Sequence, residues 1–193
     1  MLNDLSTGRV RIIGGLWKRS VLRFPALADL RPTPDRVRET LFNWLGQDLT
    51  AAHCLDLFAG SGALGFEAAS RGAARVVLVE KDRAALLALR ANAERLSANA
   101  LQVIGGEASA FLSVADEKFD VVFLDPPFRQ NVLTEVLEQL PRVLNPGARV
   151  YVETPQPLEA DGAWRELKRG RAGQVSYQLL EWSDDRSSLS GDV

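Results

Sequence analysis

The sequence predicts an α/β fold: a doubly wound, mostly parallel sheet with an antiparallel C-terminal edge hairpin, preceded by a small N-terminal β-hairpin extension. Three observations predict it. From about residue 52 onward, strand-like apolar runs alternate regularly with helix-like stretches. The runs are almost continuously apolar, as strands covered on both faces are. A glycine-rich turn, Gly60-x-Gly62-x-x-Gly65, joins the first run to the first helix that follows it. A chain of 193 residues, 46% hydrophobic and 25% charged, has ordinary globular composition and room for one such domain with one active site.

The elements follow in order. Arg9 to Ile13 and Ser20 to Phe24 read as two short extended runs joined through Gly14-Gly15, a hairpin within an extension spanning residues 1–33. In Arg31-Pro32-Thr33-Pro34, Thr33 is placed to cap and Pro34 to open a helix running to about Gly46, with Val37, Leu41, Trp44 and Leu45 on one face. The main domain, residues 34–182, then has strands at His53 to Phe58, Arg75 to Glu80, Leu101 to Ile104, Phe119 to Leu124 and Ala148 to Glu153. Helices lie near Ala63 to Ser70, Arg83 to Leu96, Ala108 to Leu112 and Asn131 to Leu140. Two last runs, Ala163 to Arg169 and Gln174 to Trp182, flank the turn sequence Gly170-Arg171-Ala172-Gly173 and form the antiparallel edge. The polar tail 183–193 is expected to fray.

Composition excludes several classes. No apolar stretch approaches the roughly 20 residues of a membrane span, and Met1 to Val10 lacks a signal-peptide core, so a cytoplasmic protein without a membrane partner is expected. One cysteine, Cys54, and one histidine, His53, give no disulfide and no metal-ligand set, and both read as packing residues. A net charge of −2 disfavours a protein that coats nucleic acid by charge alone. The distribution is uneven, however: Arg9, Arg11, Lys18, Arg19, Arg23, Arg31, Arg36 and Arg38 make the N-terminal segment locally basic, and Arg165, Lys168, Arg169 and Arg171 form a second cluster.

The turn Asp56-Leu57-Phe58-Ala59-Gly60-Ser61-Gly62 is the candidate cofactor site. Glycines let the backbone approach a ligand and adopt positive φ, but the spacing alone fits a nicotinamide dinucleotide as well as S-adenosylmethionine. Asp56 decides between them, because a carboxylate beside the turn suits the methionyl ammonium and repels a pyrophosphate. Glu80 ends the second strand, where an acid accepts from ribose hydroxyls, and Glu107 after the third is placed either to meet the adenine amine or, in Gly105-Gly106-Glu107, to sit in a turn as a solvated acid. Phe58, Gly60, Ser61 and Gly62 of the turn, Lys81 and Ala108 complete the candidate contacts.

The fourth strand delivers Asp125-Pro126-Pro127-Phe128 to the carboxyl edge of the sheet, where open α/β sheets bind ligands. Two prolines remove backbone donors and leave the Pro126 carbonyl and the Asp125 carboxylate as acceptors. An exocyclic amino group has two N–H donors to match them. Holding both aims its lone pair and stabilises the charge that develops when a methyl group arrives. Phe128 is placed to stack on the base.

These motifs, together with Arg31-Pro32-Thr33-x-x-Arg36-Val37-Arg38-Glu39-Thr40-Leu41-Phe42-Asn43, resemble the bacterial 16S ribosomal RNA guanine-N2 methyltransferase family over most of the chain. The resemblance implies a Rossmann-like methyltransferase domain, S-adenosylmethionine as cofactor and a guanine of 16S ribosomal RNA, in the small ribosomal subunit particle, as substrate. That family usually carries aspartate where Glu107 stands. Arg9, Arg11, Lys18, Arg19 and Arg36 become the candidate RNA contacts, and a monomer is expected. The acid-Pro-Pro-aromatic motif also resembles adenine-N6 and cytosine-N4 DNA methyltransferases and glutamine-N5 protein methyltransferases, which usually add a sizeable recognition domain. A nicotinamide dehydrogenase is disfavoured because no Tyr/Lys or His/acid set for hydride chemistry is apparent. A non-catalytic RNA-binding module is the remaining alternative.

Overall fold

Two antiparallel strands, β1 (Thr7–Arg11) and β2 (Val21–Pro25), open the chain, pairing Arg9 with Arg23 and Val10 with Leu22. Their pleat sends Val10, Leu22 and Phe24 inward, while Arg9, Arg11, Val21 and Arg23 face solvent. In the computed structural model, residues 7–26, 32–126, 132–160 and 162–183 are described. After the hairpin come α1 (Asp35–Leu45), β3 (His53–Asp56), α2 (Ala63–Ser70), β4 (Arg75–Glu80), α3 (Arg83–Arg95), β5 (Leu101–Gly105) and α4 (Ala108–Val114). The chain continues through β6 (Phe119–Leu124), α5 (Val132–Gln139), a 3₁₀ turn (Leu140–Val143), β7 (Leu144–Thr154), β8 (Trp164–Ala172) and β9 (Val175–Trp182).

The main sheet has the order β5-β4-β3-β6-β7-β9-β8. Strands β3 to β7 pair in parallel, and β9 joins β7 and β8 antiparallel, as the sequence predicts. The chain winds outward from β3 to β5 and then returns to place β6 on the other side of β3. The carboxyl ends of β3 and β6 therefore flank a topological switch point, where such sheets open a ligand crevice.

Each face of the sheet carries its own core. One unites the hairpin residues Val10, Ile12, Leu22 and Phe24 with α1, α2 and α3 over Val76, Leu78, Phe123 and Tyr151. The other packs α4, α5 and the 3₁₀ turn over Val77, Val79, Val122, Val150 and Val152. The N-terminal hairpin is thus continuous with the first core. Among the described residues no helix is long and apolar enough to cross a membrane.

Three local readings are corrected. Thr33 does not cap α1: Pro34 occupies the N-cap position without a side-chain hydrogen bond, and the Thr33 hydroxyl bonds Glu153 instead. β7 begins at Leu144 rather than Ala148, because Leu144 pairs with Phe119 ahead of a register shift, with Gly147 turning the backbone at φ 75°. The C-terminal turn is Gly173–Gln174, not Gly170 to Gly173. Gly170 stays in the strand because it sits beneath the Tyr177 ring, where a Cβ would lie 2.3 Å from Cζ, while Gly173 takes the φ of 60° that the turn needs. Pro127, Phe128 and the tail 184–193 lie outside the described residues.

Candidate active site

Three carboxylates line one face of the sheet at its carboxyl edge. Asp56 ends β3, Asp125 follows β6 and Glu153 lies near the end of β7, on three neighbouring strands. Leu55, Leu124 and Val152 turn toward the second core, so the alternation of each strand turns its following acid to the side of α1 and α2. Asp125 is half-buried and Pro126 is buried. Burial, then the charges of Glu153 and Asp56, push the Asp125 carboxyl well above the ordinary carboxylate range.

The glycine turn has the expected form. Gly60 and Gly62 adopt φ of 49° and 80°, and a Cβ on Gly62 would stand 2.6 Å from Leu89 Cδ2. Two acids hold the turn in place. Glu80 Oε2 accepts from the Gly60 amide at 2.7 Å and its Oε1 from the Asp82 amide at 2.7 Å. Asp56, 2% exposed, accepts from the Gly65 amide at 3.1 Å and from the Phe58 amide. Phe58 is half-buried, and Ser61 Oγ, buried, accepts from the Ala63 amide at 3.3 Å. Glu107 stands at the N-cap of α4 beside buried Ala108, and its carboxylate faces Lys81 Nζ at 3.5 Å, both side chains being largely exposed. All nine candidate cofactor residues therefore line one end of the sheet, around the carboxyl ends of β3, β4 and β5.

Burial raises Asp56 to about 7, against the pull of the Gly65 and Phe58 amides, so in the free protein its neutral and charged forms compete near neutral pH. A cation beside it favours the ionised form, and binding then expels a proton. Affinity for a ligand carrying an ammonium should accordingly rise as pH climbs toward about 7 and level off above it. Calorimetric titration of S-adenosylmethionine across that range measures the slope, and Asp56→Asn should flatten it. An unchanged slope in that variant would separate Asp56 from the ligand's ammonium.

The basic residues divide. Arg9, Arg11 and Arg36 are exposed along the hairpin and the first turn of α1, with Arg11 near Asp35 at 3.5 Å. Lys18 and Arg19 sit in the connector whose Leu16 and Trp17 amides bond Ser70 O and Oγ, at the far end of α2. α2 starts at the glycine turn and is eight residues long, about 12 Å, so these two lie at the opposite edge of the sheet from Asp125. Arg23, part of the basic N-terminal segment but not one of the candidate RNA contacts, lies directly across from Arg9 and joins the outward basic row.

The comparisons with known proteins bear on this geometry. The profile of the family described as Conserved hypothetical protein 95 matches residues 10–181. The ribosomal RNA small subunit methyltransferase D of Escherichia coli (strain K12) is 42% identical over 184 residues, covering 93% of each chain. The chain belongs to the ribosomal RNA small subunit methyltransferase D family. The Haemophilus influenzae methyltransferase D is 43% identical over 182 residues, 90% of this chain and 94% of that one. The solved structure of Escherichia coli yhhF, 43% identical, superposes with a TM-score of 0.83 over 91% of this chain and 99% of that one.

Two buried residues of this methyltransferase D family member escape sequence reasoning. Glu153 is 7% exposed and accepts from Tyr151 Oη at 2.8 Å. An acid closing an apolar strand, as Glu80 does, is the signal that points to Glu153. Tyr151 carries no such signal, since an aromatic inside a strand reads as core.

Proposed function

We propose that this protein transfers a methyl group from S-adenosylmethionine to the exocyclic N2 amino group of a guanine in 16S ribosomal RNA of the small subunit. The observation that carries the reading is the arrival of Asp125-Pro126 at the switch point, on the sheet edge that also bears the glycine turn. The residues fit the cofactor. Gly60 and Gly62 give the turn the positive φ that lets its backbone approach a ligand, Asp56 suits the methionyl ammonium, Glu80 the ribose hydroxyls, and Lys81, Glu107 and Ala108 surround the place for adenine. When bound, S-adenosylmethionine supplies an electrophilic methyl on sulfur.

The protein's own part is to hold the amine and stabilise its developing charge. Asp125 accepts one N–H and the Pro126 carbonyl the other, so the lone pair faces the methyl group, and Phe128 stacks on the base. Glu80 keeps acceptor capacity for the ribose beyond the two amides it already holds. The relatives' names give ribosomal RNA as their substrate. On this chain, Arg9 and Arg23 face each other across the hairpin, a like-charge pairing that an RNA phosphate between them would relieve.

The test is to incubate the purified protein and S-adenosylmethionine with small-subunit particles from cells lacking the modification, then map the methylated base. N2-methylguanine in 16S RNA is expected. A methyl group on an adenine N6 or a cytosine N4, or on protein alone, would overturn the assignment.

A further inference from the structure

Glu153 is the buried acid nearest in register to Asp125. β6 and β7 run parallel with Leu124 opposite Val152, so the pair that follows is Asp125 and Glu153. In-register neighbours on parallel strands share a face at a strand spacing of about 4.8 Å. Glu153 has two donors of its own: Tyr151 Oη at 2.8 Å and the hydroxyl of Thr33, from the segment leading into α1. Tyr177 lies opposite Glu153 in β9, and its ring packs on Tyr151 at 6.4 Å. Among the described residues, the charges that act on Asp125 are Glu153 of β7 and Asp56 of β3, with Tyr151 of β7 beside them and Tyr177 of β9 packed on Tyr151. Arg38 of α1 and Glu67 of α2, on the same side, are paired with each other at 3.3 Å.

Adjacent buried carboxylates do not both ionise easily. Hydroxyl donors stabilise the charged form of the acid they touch, and here they touch Glu153. Burial pushes Glu153 up as well, but its hydroxyl donors pull it back while Asp125 is pushed well above the ordinary range, so the pair holds its negative charge on Glu153 and, in the free protein, its proton on Asp125.

We propose that Glu153 is a positioning residue that makes Asp125 a base, its fixed charge enabling Asp125 to take the proton that the target amine sheds on methylation. The inference rests on the methyl-transfer reading above. A cation bound in the pocket favours ionised Asp125, which therefore releases its proton to solvent before the chemistry. The amine lone pair then forms the N–C bond, the S–C pair stays with sulfur, and the N–H pair returns to nitrogen as the proton passes to Asp125 Oδ. Glu153 acts without touching the base. Tyr151 and Thr33 keep it charged.

Two measurements test this. The first needs no cofactor: infrared spectra of the free protein at neutral pH should contain a protonated-carboxyl band component that Asp125→Asn removes. Glu153→Gln, which keeps an acceptor for Tyr151, should weaken the same component, because Asp125 then loses the larger of the two charges that raise it while its burial remains. The second is the pH dependence of single-turnover methylation, whose acid limb should move to lower pH by about one unit or more in Glu153→Gln. The plateau rate should fall about tenfold while the KM for S-adenosylmethionine changes little. Tyr151→Phe should shift the limb in the same direction by less, which keeps the idea open to refutation if Glu153→Gln does not fold. An Asp125 band and an acid limb both unchanged in these variants would overturn the inference. The methyl-transfer reading would still stand as long as Asp125→Asn lowers turnover, and would fall with the inference if it does not.

Discussion

Asp125→Asn should lower single-turnover methylation by about 10²-fold or more and leave S-adenosylmethionine affinity nearly unchanged. Asparagine keeps the size and one acceptor oxygen but loses the charge. The nitrogen of the amine grows positive as it attacks, so the lost charge matters more in the transition state than in the bound substrate. The location of Asp125 adds a second readout. It shares a buried face with Asp56 and Glu153, and both raise its proton affinity, so a neutral side chain there relieves crowding. The melting temperature of Asp125→Asn should therefore hold or rise while its activity collapses, as happens when an active site stores electrostatic strain. Paired measurement of melting temperature and turnover decides the matter. Wild-type turnover in a folded Asp125→Asn protein would reduce the Asp-Pro-Pro-Phe turn to a structural device.

The parts of this molecule legible in its sequence are those fixed within a few residues. Strand β4 coincides with its apolar run from Arg75 to Glu80, β6 with Phe119 to Leu124, and α2 with Ala63 to Ser70, because each is bounded by local turn chemistry. The glycine turn and the acid at each strand end were readable for the same reason. What was not legible depends on docking across the chain. Thr33 has the sequence of a cap, yet its partner Glu153 is 120 residues away and becomes available only when β7 pairs with β6. Gly170 looked like a turn because sequence cannot show that the Tyr177 ring would lie over it. Lys18 and Arg19 looked like part of one basic face with Arg9, but the connector folds down to Ser70 and carries them to the other edge. Glu67 is the clearest case: nothing in Ala63-Leu64-Gly65-Phe66-Glu67-Ala68-Ala69-Ser70 singles it out, and the hairpin connector and α1 close over it completely.

That burial leads to the largest expected loss of stability. Glu67 is fully buried and its two oxygens accept four hydrogen bonds. Oε1 receives the Gly14 amide at 2.7 Å and Arg71 Nε at 2.9 Å, and Oε2 receives the Ile13 amide at 2.9 Å and Arg38 Nη1 at 3.3 Å. Arg38 is itself buried and also reaches Thr33 O, Arg11 O and Asp35, while Arg71 stacks over the Phe42 ring at 4.7 Å. A single carboxylate therefore joins the hairpin connector, α1 and α2. Glu67→Ala leaves one guanidinium wholly without a carboxylate, a second with only half-exposed Asp35, and two amides unpaired, and should cost about 3–5 kcal/mol. That is a large share of the roughly 5–15 kcal/mol available to a domain. The half-exposed pair Arg75–Glu117 provides the contrast at similar chemistry, and Glu117→Ala should cost no more than about 1 kcal/mol. Urea unfolding of the two variants beside wild type measures both. Hydrogen exchange at Ile13 and Gly14 locates the damage, because these amides lose their acceptor in Glu67→Ala and keep it in Glu117→Ala. Equal urea midpoints for the two variants would mean that the buried network does not anchor the hairpin, and that the apolar contacts of Val10, Ile12, Leu22 and Phe24 hold it alone.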